Sequence, residues 1–238
     1  MRADSAHVDT GIPRMPPWVR NLLIALFALY VVELLANNAL TAAGVGLYTL
    51  LAWNPAQLLA WQPLTRFLVQ GADVTSVMFS LLMLWFTLPT LENHFSMRQI
   101  SQAAAASAVG STILTGTLGL LGVVGGLSLG WGPVALTSIV LIGLALPNIT
   151  IRVFWVLPIP GRWLVWGTGV VYTLLLLAQW SPRASDYLGA WLGILAWWYG
   201  VGPGARRRAL VKKGRQIEKE LSRFQVLEGG KNRDDVFH

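Results

Sequence analysis

Residues 74–91, VTSVMFSLLMLWFTLPTL, contain no charged side chain over eighteen positions. At about 1.5 Å per helical residue, a helix of this length approaches the ~30 Å thickness of the hydrocarbon core of a bilayer. The segment is followed by Glu92, His94 and Arg98, polar residues of the kind that a membrane–water interface accepts. It therefore predicts a transmembrane helix and indicates that the whole chain is a membrane protein.

Five other segments carry the same apolar signal: residues 22–40, 100–124, 134–146, 163–180 and 187–199. Two stretches differ. Residues 44–73 contain two prolines and alternate tryptophan with polar residues, which predicts short interfacial helices, and residues 149–162 are predicted to be a loop. We therefore expect an all-α membrane protein with six transmembrane helices and an interfacial first loop. Its predicted parts are an N-terminal segment 1–20, a membrane domain 21–200 and a basic tail 201–238.

The composition agrees with this class. Of the 238 residues, 54% are hydrophobic and 12% are charged, whereas a soluble domain carries about 25% charged residues. The chain has no cysteine, which excludes disulfides, thiolate metal sites and a cysteine nucleophile. Its three histidines, His7, His94 and His238, are too few and too scattered for a histidine metal centre. We expect no cofactor and no metal.

The net charge of +7 could suggest a nucleic-acid partner, but most of it lies in one tail beside an apolar body. If both termini lie on one side of the membrane, that side holds sixteen of the eighteen basic residues and the other holds only Arg66 and Arg183. This asymmetry predicts that both termini are cytoplasmic. A bacterial inner (plasma) membrane is the expected location, and an internal eukaryotic membrane is the alternative.

The tail from residue 205 to residue 238 contains ten basic and five acidic residues, and a helix is predicted over residues 206–223. We interpret its charge as an orientation signal with attraction to anionic lipid, worth about 1 kcal/mol per basic residue near the surface. The alternative is a docking site for a cytoplasmic partner. No nucleic-acid partner is expected.

Two features could carry chemistry. The string GLSLG, residues 126–130, matches the G-x-S-x-G nucleophile motif around Ser128. That motif needs a strand, a strained turn, an acid and a histidine, so we interpret it here as a flexible turn between two spans. Glu33 is the acid that lies well inside a span. It is expected to be hydrogen-bonded beside Asn37 and Asn38, with a proton-relay role as the alternative.

Four motifs occur in an order that resembles the rhomboid family. WQPLTRFLVQG at 61–71 resembles the family's first-loop pattern W-R-x-x-T-x-x-F-x-H-G, and FSLLMLWFTLPTLENHFSMRQI at 79–100 resembles its second helix. LALPN followed by VLPIPGRW at 156–163 is similar to the passage from helix four to helix five. DYLGAWLG at 186–193 is similar to the helix-six pattern H-x-x-G-x-x-x-G. The resemblance implies a rhomboid-like six-helix bundle.

The resemblance also implies where catalytic residues would lie. The family's serine position corresponds to Gly132, and its histidine position to Asp186 or, with a shift of one residue, Tyr187. Its oxyanion-stabilising positions fall at Ser76 (or Thr75) and Ser80, and Gln70 replaces the first-loop histidine. Nucleophile, base and oxyanion donors are thus all replaced, which predicts a pseudoprotease without catalytic residues.

The residues that pack helices in the family persist. Gly189 and Gly193 form a small-xxx-small pair, which predicts close packing of the sixth helix against a neighbour, expected to be the fourth. Gly132 and Trp61 are further candidates for helix packing or partner binding. The expected partners are the lipid bilayer and other transmembrane proteins.

Three functional hypotheses follow. The first is a catalytically inactive rhomboid-like protein that binds transmembrane segments or partner proteins in membrane-protein assembly, quality control or scaffolding. The second is an active intramembrane serine protease that uses Ser128 with Asp186 as an unfamiliar base. The third is a structural subunit of a membrane complex. A small-solute transporter is disfavoured because the sequence has no visible inverted repeat.

Overall fold

The structure is a computed structural model that describes residues 15–44, 46–55, 59–71, 73–148, 150–153 and 157–228. Most of the predicted N-terminal segment and the last ten residues of the predicted tail therefore lie outside the described residues. The chain divides into two compact units, one ending at Ile194 and the other beginning at Leu195.

Helices dominate the described chain. The long ones are listed by their bounds: α1 Pro17–Ala42, α4 Val74–Glu92, α5 Met97–Leu120, α6 Gly132–Ala145, α7 Gly161–Gln179, α8 Pro182–Gly200 and α9 Pro203–Glu228. Between α1 and α4 lie the short helices α2 Leu47–Leu51 and α3 Gln62–Thr65, followed by a 3₁₀ turn Arg66–Leu68. Short helices were predicted for this first loop, and their position at a membrane interface stays a prediction.

Four of the described helices are long and apolar enough to cross a membrane: α1, α4, α5 and α7. Each coincides with a predicted span, so the assignment of an all-α protein with membrane-spanning helices is confirmed at this level. The fourth and sixth predicted spans also form helices, α6 and α8. However, α6 has only 14 residues, and α8 begins at Pro182 and carries Arg183 and Asp186 ahead of its apolar part.

Helix α6 lies at the centre of the first unit. It packs against α4, α5 and α7, and ten of its fourteen residues are buried. A helix enclosed by other helices is apolar on all sides, which explains the uniform run of residues 134–146 in the sequence. The outer helices instead expose large apolar side chains such as Phe27, Ile113 and Leu174, as lipid contact requires.

The loop predicted for residues 149–162 is wrong in part. Strands β1 Thr150–Val153 and β2 Leu157–Pro160 form an antiparallel hairpin in which Ile151 pairs with Ile159. Proline is compatible with an edge strand because its fixed φ suits extended backbone. Pro158 and Pro160 therefore stop a helix at this point without preventing the pairing.

Candidate functional site

A buried ion pair joins the first loop to the start of α8. The guanidinium Nη1 of Arg66 lies 2.5 Å from the Oδ1 of Asp186, and the two side chains are 2% and 3% exposed. Asp186 lies next to the start of a predicted span, but its side chain is buried and does not reach the membrane–water interface. Its charge is neutralised inside the protein, because a carboxylate removed from water needs a partner of opposite charge.

Hydroxyl groups add further hydrogen bonds to this pair. Nη2 of Arg66 donates to Ser111 Oγ at 2.8 Å, and Asp186 Oδ1 accepts from Ser111 at 3.0 Å and from Thr115 at 2.6 Å. Ser128 Oγ accepts from Arg66 Nη1 at 2.5 Å and donates to Asp186 Oδ2. We call Arg66, Ser111, Thr115, Ser128 and Asp186 the polar cluster.

The turn that contains Ser128 is fixed, not flexible as predicted. The backbone N–H and C=O of Ser128 pair with those of Trp53 at 2.8 and 2.9 Å, forming an isolated β-bridge. The ring of Trp53 in turn lies under the Arg66 guanidinium, 4.7 Å from it, a cation–π contact. Ser128 is thus held from both its side chain and its backbone.

The polar cluster brings Ser128 and Asp186 together, but not in a form suited to nucleophilic catalysis. The serine is 0% exposed, and the carboxylate that accepts its hydrogen bond is already paired with Arg66. A hydroxyl enclosed on all sides is not placed to attack a substrate. In the described residues, no group of three or more Asp, Glu or His side chains is placed to hold a metal ion.

Glu33 anchors the same loop from the opposite end. Its two carboxylate oxygens accept hydrogen bonds from the backbone N–H groups of Gln70 at 2.8 Å and Gly71 at 2.7 Å. Glu33 is thus buried and hydrogen-bonded, as expected, and these two partners are backbone groups of the loop. Burial, and then the Glu33 carboxylate, raise the pKa of the neighbouring Tyr48 to about 12. Glu33 therefore positions the loop.

Gly132 and Tyr187 are in direct contact. A Cβ added at Gly132 would lie 2.1 Å from the hydroxyl oxygen of Tyr187 and 2.9 Å from its Cζ. Tyr187 also stacks on Tyr172 of α7, with ring centroids 4.5 Å apart and planes 4° from parallel. Of the two candidates for the histidine position, Tyr187 contacts Gly132, whereas Asp186 belongs to the polar cluster.

A cleft lies between α4 and α7, which both pack against α6. It consists of two adjoining cavities of about 360 and 280 Å³, which share Phe79, Ser80, Tyr172 and Tyr187 as walls. Gly132 lines the smaller cavity, and Thr75 and Ser76 line the larger one. Most positions predicted from the rhomboid resemblance therefore line this cleft, whereas Asp186 and Gln70 do not.

The outer end of the cleft is polar. Arg183 Nη2 donates to Ser76 Oγ at 2.6 Å and lies 3.9 Å from Asp73, and both charged side chains are more than half exposed. Asp73 caps α4 through the backbone N–H of Ser76. The hydrogen bonds from Ser76 hold the pKa of Asp73 below its ordinary value. This end of the cleft is charged, whereas its interior is largely apolar.

The predicted glycine pair packs closely, but against a different helix from the one expected. A Cβ added at Gly189 would lie 2.6 Å from the carbonyl oxygen of Gly110, and one at Gly193 would lie 2.2 Å from that of Ala106. Both partners belong to α5, the third predicted span, and not to α6. Trp61 is half exposed and donates from Nε1 to the carbonyl of Leu50 at 3.1 Å, closing the first loop.

The sequence analysis did not identify Arg66, Ser111 or Thr115 as candidate site residues. One signal was present: Ala103, Ser107, Ser111, Thr115 and Gly119 are small residues spaced by four, and all five are buried on one face of α5. Such a stripe predicts close approach of a neighbouring helix.

The comparisons with known proteins name no relative, since no family model, curated protein or solved structure matches the chain.

Proposed function

We propose that this chain is a six-span, rhomboid-like membrane protein without protease activity, which holds transmembrane segments of partner proteins in the cleft between α4 and α7. The observation that carries the proposal is the cleft itself, with Gly132 and Tyr187 at its inner wall. Its cavities have the size of a few side chains, as expected for residues that project from a docked helix. Its walls combine apolar surface with hydroxyl groups that can bond a partner's polar residues.

Two features of the short or charged helices support the proposed six-span arrangement. Helix α6 is enclosed by α4, α5 and α7, so its 14 residues need not match the full hydrocarbon thickness. The charge of Asp186 in α8 is neutralised by Arg66, which lowers the cost of placing α8 in a membrane. Six spans place both termini on one side, and the basic residues assign that side to the cytoplasm.

Photocrosslinking tests the cleft. A benzoylphenylalanine residue at Leu175, which lines the larger cavity, is compared with one at Val170, an exposed residue of the same helix that lines neither cavity. We expect the Leu175 variant, in native membranes, to form adducts with proteins that contain a transmembrane segment. The same adducts should be absent from the Val170 variant and should disappear when Ser80→Trp fills the cleft.

Two results would contradict this function. One is an identical set of adducts at Leu175 and Val170, which would mean that the crosslinker reports only neighbours in the lipid. The other is adduct formation that Ser80→Trp leaves unchanged.

Topology is tested in a separate experiment. Because the chain has no native cysteine, single cysteines can be introduced at Ala3 and Ser222, and both should react with an impermeant maleimide only in inverted vesicles.

The alternative is an intramembrane serine protease that uses Ser128 and Asp186, and the hydrogen bond between these side chains favours it. The burial of both groups and the Arg66 ion pair oppose it, as argued above. A fluorophosphonate probe separates the two functions. We expect no labelling, and labelling that is lost in Ser128→Ala would establish the protease instead.

A further inference from the structure

We propose that α9 lies along the membrane surface and binds anionic lipid, with one apolar stripe in the lipid and the basic residues beside that stripe on the headgroups. The inference concerns the second unit alone and is independent of the cleft between α4 and α7. It goes beyond attraction of a charged tail, because it assigns a face of the helix and an orientation.

The apolar stripe is defined by Leu210, Ile217 and Leu221, which are 70%, 57% and 57% exposed. At about 100° per residue, these three side chains project within about 40° of one another. Gly214, where an added Cβ would meet no atom within 4 Å, continues the stripe between them. Three large apolar residues aligned along one face of a 26-residue helix form a continuous surface that water covers at a cost.

The charges favour a negatively charged lipid surface as the occupant of this face. Residues 206–223 contain eight basic and two acidic side chains. Three of the basic ones, Arg206, Arg207 and Lys213, project within about 60° of the centre of the stripe, where long side chains reach the headgroups while the stripe is in lipid. A second set, Lys212, Arg215 and Lys219, projects from the opposite side of the helix.

Aromatic residues typical of a membrane interface lie at the end of α8, shortly before α9. Trp197, Trp198 and Tyr199 belong to the last turn of α8, and tryptophan and tyrosine concentrate at membrane interfaces. At the C-terminal end of α8, the N–H of Gly202 donates a hydrogen bond to the C=O of Trp197 at 2.8 Å. Arg208 then donates to the carbonyl of Tyr199 and lies 5.0 Å above its ring. The first two turns of α9 are thus fixed to an interfacial aromatic cluster.

The orientation is tested with the full chain in nanodiscs that hold one copy each, made of phosphatidylcholine with or without phosphatidylglycerol. Because the chain has no native cysteine, Ile217→Cys and the neighbouring Gln216→Cys each accept a single environment-sensitive nitrobenzoxadiazole label. We expect a blue-shifted emission and a severalfold loss of iodide quenching at position 217 in the anionic discs, and a water-exposed label at position 216. A water-exposed label at both positions would overturn the proposal.

Charge substitution tests the lipid contact. Arg206→Gln, Arg207→Gln and Lys213→Gln are combined in one variant, and Lys212→Gln, Arg215→Gln and Lys219→Gln in a matched variant of the same net charge. The first set should abolish the blue shift at position 217, whereas the second should reduce it by less than half. Equal losses would contradict a direct headgroup contact. A shift that appears in detergent and grows with protein concentration would assign the stripe to a second copy of the chain, and would also refute the proposal.

Discussion

The two sides of the central helix α6 are built by different means. On one side, α5 and α8 approach so closely that Gly110, Gly189 and Gly193 have no room for a side chain, and the polar cluster fastens the first loop to both helices. On the other side, α4 and α7 are separated by the cleft and meet mainly through α6. Rigid attachment is thus concentrated on the α5–α8 side, and the α4–α7 side is left with space. Stability and partner binding should therefore respond to different substitutions.

The largest effect is expected from Asp186→Ala, which leaves the Arg66 guanidinium buried without its counter-ion. Removal of one member of a buried ion pair typically costs about 3–5 kcal/mol. The unfolding midpoint in mixed micelles of dodecyl maltoside and sodium dodecyl sulfate should fall accordingly.

The matched control is the double variant Arg66→Met with Asp186→Leu, which replaces the pair by apolar groups. It should recover a substantial part of the loss, since the desolvation cost of both charges disappears with them. If the double variant is as unstable as the single one, the ion pair is not the source of the effect. In that case the hydroxyl hydrogen bonds to Arg66 and Asp186 would be the stabilising element.

Gly189→Ala ranks second. The new Cβ would lie 2.6 Å from a backbone oxygen and 2.8 Å from the Cα of Ser111, and neither atom can move without shifting α5. Overpacking of this kind costs about 1–3 kcal/mol. The free energy of unfolding in the same mixed micelles measures it. An unchanged value would mean that α5 and α8 are not in contact in solution.

Glu33→Gln is expected to have the next effect. The amide keeps one oxygen acceptor but turns an N–H donor toward one of the two loop N–H groups, which loses its charged acceptor. Leaving a buried donor unsatisfied costs about 1–2 kcal/mol. Proteolysis within residues 59–71 should accelerate, because one of the two hydrogen bonds that tie this end of the loop to α1 is lost. Faster cleavage throughout the chain would instead indicate general destabilisation.

The four helices that could cross a membrane, α1, α4, α5 and α7, could be predicted from the sequence because their apolar length identifies them. The pairing of residues 150–153 with residues 157–160 could not, since Pro158 and Pro160 mark a break in helix and say nothing about strand pairing. The Glu33 contact was missed for a different reason. A buried acid in a helix is conspicuous in a sequence, but its partners are backbone groups of a loop 37 residues away, which no pattern identifies.

The polar cluster shows where the candidate site escaped prediction. Arg66 and Asp186 are 120 residues apart, and each alone is an ordinary interfacial charge. Only the fold makes them neighbours. Gly132 and Tyr187, which the spacing of the rhomboid-resembling motifs singles out, do lie together. A one-residue shift on a helix rotates a side chain by about 100°, which separates Tyr187, at the cleft, from Asp186, in the polar cluster.

The smallest effect is expected from Gly167→Ala, the same substitution as Gly189→Ala placed on the open side of α6. Gly167 lies inside α7 and lines the smaller cavity, and an added Cβ would meet no atom within 4 Å. Alanine is favoured over glycine within a helix by about 0.5–1 kcal/mol, so the variant should unfold slightly later than the parent. Opposite signs for Gly167→Ala and Gly189→Ala in one unfolding assay would establish that α7 has free space beside it and α8 has none. A loss of stability in Gly167→Ala that matches the loss in Gly189→Ala would mean that the cleft closes in the membrane, and the α4–α7 side would then be packed as tightly as the α5–α8 side.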